Sequence, residues 1–270
     1  MAVDLCDADA VRCAIRDARP DVIYHLAALS SVARSWDDPA RTLSENVTGA
    51  INLLEAIRRE AAAARVVWVS SCEVYGVPSR LPIEESAPLA PASPYAISKA
   101  TGEQLAVVYA NVHGLDIVRA RPFSHSGPGQ SATFLLSSLA RQAAEGRRAG
   151  LSRFDVVTGN PDTRRDFTDV RDVVRAYRLL AELPETMGAV YNLSSGRSAS
   201  TAELVSLVGN VVAPVEVEHV VDPARVRASE VMELRGDNSL LSSATGWHPT
   251  IPLRQTIIDT VGWWEHELAA

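Results

Sequence analysis

Several features that would assign these 270 residues to a specialised class of protein are scarce or absent. Cysteine is rare, with three residues at 6, 13 and 72. The odd number and the lack of metal-type spacing exclude a disulfide scaffold and fit a reducing, cytoplasmic setting. No apolar run is long enough to span a bilayer, and residues 1–7 have no basic stretch followed by an apolar one, so no signal peptide is indicated. An excess of positive charge is also missing. The net charge of −7 argues against a nucleic-acid partner or an anionic membrane surface. His113, His219 and His248 are scattered, so no metal site is suggested. There is no internal repeat, low-complexity tract or flexible linker. No G-x-x-G-x-x-G occurs, and Gly127-Pro128-Gly129 stands in a different context. What remains is ordinary: 47% apolar and 22% charged residues, enough for a sizeable core.

Hydrophobic patterning alternates between two periods. Residues 8–18 repeat as a helix, 21–26 read as a buried strand, 27–36 as a loop, and 38–61 as a long helix capped by Asp37 or Asp38. A strand at 66–69, a loop at 72–92, a helix running to His113 and a strand at 116–121 follow. This alternation predicts a parallel sheet with helices on both faces. Beyond Pro122 the pattern loosens. It predicts helices at 134–146, 169–183, 201–210 and 252–268, and a hairpin of 154–157 with 165–167 around Gly159-Asn160-Pro161-Asp162. A strand at 190–193 is expected to return to the main sheet. The fold expected is α/β: a Rossmann-like doubly wound parallel sheet with a smaller interleaved lobe.

The chain is organised around Ser93-Pro94-Tyr95-Ala96-Ile97-Ser98-Lys99. Tyr95 and Lys99, four apart at a helix start, share one helical face. An ammonium beside a phenol favours the phenolate, which predicts a lowered Tyr95 pKa and a proton donor usable near neutral pH. Just upstream, the strand Val66-Val67-Trp68-Val69 ends in Ser70-Ser71-Cys72-Glu73-Val74-Tyr75-Gly76. A hydroxyl there, with Tyr and Lys on the next helix, suits polarising a carbonyl during hydride transfer.

The pairing of V-S-S-C-E-V-Y-G with S-P-Y-A-I-S-K resembles the extended short-chain dehydrogenase/reductases, in particular those acting on nucleotide sugars. Arg121-Pro122-Phe123-Ser124-His125-Ser126-Gly127-Pro128-Gly129-Gln130 is similar to the R-P-F-N-H-x-G-P-G-Q loop of the GDP-4-keto-6-deoxymannose reductases. Arg165-Asp166-Phe167-Thr168-Asp169-Val170 resembles their R-D-F-T-D-V stretch, where Asp169 reads as a helix cap. Gly246-Trp247-His248-Pro249 matches a G-W-x-P that reads as packing.

The resemblance implies a catalytic Ser71, Tyr95 and Lys99, with Glu73 at the position used as a base by 4,6-dehydratases. Cys72 replaces an acid found in several dehydratases, which counts against dehydration. The same resemblance implies NADP or NAD as cofactor. It would meet Asp4 and Leu5 at the adenine, Leu26, Ala27 and Ala28 beside His25, then Tyr95, Lys99, Pro122 and His125. Ser31, Arg34, Ser124, Arg165, Arg227 and Glu230 would face a GDP-sugar, with Ser124 standing where the family has Asn. Residues 1–122 with about 166–195 would form the dinucleotide-binding lobe, and about 123–165 with 196–270 the substrate lobe. Family members open with a glycine-rich strand–turn–helix, so by the usual strand order this chain is expected to start roughly 50 residues late. A homodimer through the helices at 38–61 and 95–113 is expected. Three readings follow: reduction of a GDP-4-keto-6-deoxymannose, 4,6-dehydration or epimerisation of a nucleotide sugar, and nucleotide-sugar binding without turnover.

Overall fold

A computed structural model describes residues 2–184, 188–226 and 231–269. The first part of the chain folds as helix α1 (Ala8–Ala18), strand β1 (Val22–His25), helices α2 (Val32–Asp37) and α3 (Pro39–Glu60), and strand β2 (Arg65–Val69). Helix α4 (Pro94–His113) and strand β3 (Ile117–Pro122) complete it. The caps are local. Asp7 accepts from the Ala10 N–H, Asp38 from Arg41 and Ser93 from Ala96, each satisfying a donor that has no partner within its helix.

Next come β4 (Ser124–Ser126), α5 (Leu135–Arg148), β5 (Arg153–Thr158), β6 (Arg164–Asp169), α6 (Val170–Glu182) and β7 (Val190–Leu193). The chain closes with β8 (Ser198–Ser200), α7 (Thr201–Val212), β9 (Glu216–Val221), β10 (Glu233–Leu234), α8 (Ser239–Thr245) and α9 (Leu253–Glu267).

The main sheet is wholly parallel, in the order β1-β2-β3-β7. β2, β3 and β7 are buried on both sides, as helical crossovers require, whereas β1, expected as a buried strand, lies at an edge of the sheet and leaves Val22 and Tyr24 exposed. Val66, Trp68 and Ile117 pack with α1, α3 and α4, whereas Val67, Val69 and Val118 pack with α6, α8 and the fully buried Trp247. A second sheet joins β10, β6 and β4 in parallel, with β8 antiparallel to β6. A third pairs β5 with β9 over a core shared by α5, α7 and α9.

Two further expectations are corrected here. The 27–36 loop contains the start of α2, because Ser31 accepts from the Arg34 N–H and starts a short helix. The hairpin around 159–162 does not form. β5 pairs in parallel with β9 and β6 pairs with β4, so both strands find long-range partners that alternation along the chain does not reveal. β7 returns to the main sheet as expected, beside β3.

Candidate functional site

The site lies where β2 ends. Val69 gives way to Ser70 and Ser71, and Ser71 caps a 3₁₀ turn, Cys72–Tyr75, by accepting from the Glu73 N–H at 3.2 Å. The turn ends at Gly76 with φ of +63°, where a Cβ would lie 1.9 Å from the Ala90 carbonyl oxygen, so only glycine fits. Helix α4 begins beneath this turn. It brings Tyr95 and Lys99, both at least nine-tenths buried, to the carboxyl end of β2 beside Ser71. The Lys99 ammonium donates to the Val69 carbonyl at 2.5 Å.

Electrostatics at the site depart from the sequence expectation. Burial pushes the Tyr95 phenol above its ordinary value, and the nearby Ser71 hydroxyl offsets only part of that rise. Tyr95 therefore rests as the protonated phenol, not the phenolate expected from the sequence, because burial outweighs any pull from the Lys99 ammonium at the Val69 carbonyl. Lys99 itself is brought down to about 8 by burial, against the pull of Glu103. His25, its ring tilted against Trp68 with centroids 4.4 Å apart, is depressed to about 3 by burial and by the charge of Lys99. Burial raises the Cys72 thiol well above its usual value, which keeps it protonated and unreactive.

The other residues singled out in the sequence fall around this centre. Leu26 and Ala27 are exposed beyond β1, with Ala28 half-buried. Ser31 caps α2 and Arg34 is exposed on it. Asp4 accepts from the Cys6 N–H, and Leu5 packs on Gly49 and accepts from Asn52. Pro122 ends β3 opposite Leu193. Ser124 starts β4, and His125 Nδ1 lies 3.1 Å from the Phe123 carbonyl oxygen. The 124–130 loop is fixed by Gln130, which donates to the His125 carbonyl and accepts from Ser126. Arg165 donates to the Arg164 and Val231 carbonyls, each at 2.9 Å, and its charge reaches Cys72. Arg227 and Glu230 lie outside the described residues. Asp169 caps α6 through the Arg171 N–H, as read from the sequence.

Sequence reasoning missed two groups. Asn46 on α3 accepts from the Leu29 N–H at 2.7 Å and donates to the Leu29 carbonyl and to Ser98 Oγ, clamping the loop after β1 onto α4. A polar residue on the inward side of a long helix is its only local signal. The second is the buried set Glu103, Arg119, Arg121 and Tyr75. The Tyr75 hydroxyl donates to Asn192 at 2.7 Å and accepts from Arg121 at 2.8 Å. A Glu one helical turn after Lys99 and the alternating Arg-Ala-Arg of β3 were its visible traces.

A family model described as GDP-mannose 4,6 dehydratase matches residues 1–260. The chain is 40% identical over 248 residues to the GDP-6-deoxy-D-mannose reductase of Pseudomonas aeruginosa, an alignment covering 91% of this chain and 81% of that protein. It is 36% identical over 260 residues to the UDP-glucose 4-epimerase of Mycolicibacterium smegmatis, covering 96% and 80%. The solved structure of RMD from P. aeruginosa complexed with NADPH matches with a TM-score of 0.90 at 36% identity, over 99% of this chain and 88% of that one.

Proposed function

This chain belongs to the GDP-mannose 4,6-dehydratase family, and we propose that within it the protein reduces the C4 ketone of a GDP-4-keto-6-deoxymannose, using NADPH or NADH. One observation carries the reading. Ser71 from the end of β2, with Tyr95 and Lys99 from α4, converges as a buried hydroxyl, phenol and ammonium on one spot. The similarity to a GDP-6-deoxy-D-mannose reductase and the ten-residue loop at 121–130 favour reduction over dehydration.

The residues present fit the nicotinamide half of the cofactor. Leu26 and Ala27 are exposed after β1, Asn46 ties that loop to Ser98 on α4, and the charge of Lys99 reaches His25 at the end of β1. Leu26, Ala27, Ala28, Pro122 and His125 would line that half, and Asp4 and Leu5 would meet the adenine. A bound reduced nicotinamide supplies the hydride. The protein's own part is proton handling. Tyr95, held protonated by burial, donates to the developing C4 oxygen as Ser71 orients it. Lys99 stabilises the phenolate left behind. Arg165 and Arg227 would take the substrate diphosphate, where a guanidinium can bind two oxygens. Glu230, Ser31, Arg34 and Ser124 would contact the sugar and ribose hydroxyls. The main sheet would form the cofactor lobe and the β5–β9 region the substrate lobe.

A second copy is proposed to pair through α3 and α4. The outer face of α4 holds an apolar cavity of about 520 Å³ lined by Leu89, Pro91, Ile97, Ala100, Gln104 and Val108. Ile51, Ile97, Val108 and Val112 are exposed nearby. Among the described residues no helix is long and apolar enough to cross a membrane, and a cytoplasmic location is proposed.

The deciding assay supplies the purified chain with GDP-4-keto-6-deoxymannose and NADPH, and in parallel with GDP-mannose and NAD. Loss of reduced cofactor with the keto sugar supports reduction. Release of a 4-keto sugar from GDP-mannose overturns it in favour of dehydration, with Glu73 as the base.

A further inference from the structure

Glu103 stands one helical turn beyond Lys99 on α4, and it is fully buried. Strand β3 sets two guanidiniums against it. Arg121 Nε lies 3.1 Å from both carboxylate oxygens and its Nη2 lies 2.5 Å from Oε1. Arg119 Nη1 donates to the same oxygen at 3.0 Å. Arg119 and Arg121 thus share one buried carboxylate, and its charge also reaches Lys99, one helical turn away, whose ammonium is bonded to the Val69 carbonyl. Buried ionic groups are costly, and apolar residues of similar volume are often as stable. Mere attachment of α4 to β3 therefore does not account for so much buried charge.

We propose that Glu103 is a positioning residue for Lys99: its buried carboxylate, bonded to the two β3 guanidiniums and one helical turn from the ammonium, supplies the negative charge that keeps Lys99 charged at the Val69 carbonyl. The groups that act on Lys99 are His25 from β1, Glu103 from its own helix and the Val69 carbonyl of β2, with Tyr95 one turn before it on α4. Arg119 and Arg121 act on it through Glu103. Beyond Tyr95 stand Ser71, Cys72 and Glu73. Burial lowers the Lys99 pKa and Glu103 raises it. Replacing the carboxylate by an amide therefore moves the Lys99 titration downward. Removing Arg119, a cation that competes for Glu103, moves it upward. A role limited to holding the helix predicts no such reversal of sign.

Lys99 is the only lysine in the sequence, so it can be read alone. Protein labelled biosynthetically with [ε-¹³C]lysine gives one side-chain resonance, whose shift against pH reports the titration. In the unmodified protein the midpoint is expected near 8. In Glu103→Gln it is expected to fall by about one unit, the usual size of losing a close opposite charge. In Arg119→Gln it should rise. An unchanged midpoint in a folded Glu103→Gln protein, or a shift of both variants in the same direction, overturns the proposal. Should Glu103→Gln fail to fold, Arg119→Gln decides alone, and a midpoint that does not rise refutes it. The proposal rests on the reductase reading only for what the charge is used for. The titration needs neither cofactor nor substrate, so its failure is distinguishable from failure of that reading.

Discussion

At the seam of α4 and β3, the buried Glu103 is met by two guanidiniums. At the seam of α6 and α9, the similarly buried Asp172 is met mainly by a hydroxyl and backbone N–H groups, and Asp169 by a hydroxyl, a backbone N–H and the half-exposed Arg171. Thr256 Oγ1 donates to Asp169, while Thr250 and Ile251 donate to Asp172 from the segment after Trp247. The arginines completing that seam, Arg171 and Arg175, reach in from partly exposed positions. The difference separates two uses of a buried carboxylate. In the second seam neutral donors close the ends of elements, and no cation is confined in the interior. In the first, positive charge is concentrated beside Lys99 and Tyr95, where it bears on the proton-handling groups. On the proposal above, one seam holds the architecture and the other serves the chemistry.

Changes on the two sides should therefore separate catalysis from stability. Tyr95→Phe removes the proton donor and should lower kcat by about 10²–10⁴-fold with an unchanged circular dichroism spectrum. Comparable residual activity would show that another group supplies the proton. On the architectural side, Trp247 is fully buried and donates from its indole to the Asp172 carbonyl. Trp247→Ala should cost about 3–5 kcal/mol in denaturant unfolding, because it opens a cavity on the second face of the main sheet.

A charge placed on the apolar face of α4, Val108→Asp, should turn a dimer into a monomer in sedimentation while leaving the fold intact. Sedimentation of the unmodified chain as a monomer would remove the dimer proposal. The pH profile of reduction gives a smaller effect. Lys99 is depressed to about 8, so kcat should fall as pH rises through that value and the ammonium is lost. The same depression has a stability sign. Below pH 8 the folded state carries the full burial penalty of the charged lysine, and that penalty is relieved as pH climbs from about 8 toward the ordinary value of 10.5. Smallest of all, Ser124→Asn restores the amide found in the similar loop and should lower KM by a few-fold, about the worth of one hydrogen bond.

The same contrast explains what could be read from the sequence. Around the site the signals are local. Val66 to Val69 form an apolar run buried on both faces, Ser93 and Pro94 start a helix, and Tyr95 and Lys99 lie one turn apart on it. Each inference needed only a few consecutive residues, and each element formed within one or two residues of its expected limits. Farther on, β8 and β10 span three and two residues, and β9 pairs with β5 from about sixty positions away. Strands so short carry almost no periodicity, and their partners are chosen by packing over α5, α7 and α9. The false hairpin at 159–162 arose there, because a Pro/Asn/Gly turn between two short apolar runs imitates a local pairing. At the site itself, which residues come together was legible and the state of their protons was not. The pull of an ammonium on a phenol is a short-range rule, whereas the burial that raises Tyr95 depends on the assembled core.

The central claim is that this chain holds a reduced nicotinamide against Ser71, Tyr95 and Lys99. It is tested most directly by calorimetric titration of the 270-residue protein with NADPH and then NADH, with GDP present throughout. The account predicts saturable binding near one site per chain, retained by Tyr95→Phe. Absence of binding to either cofactor by a folded chain would contradict it.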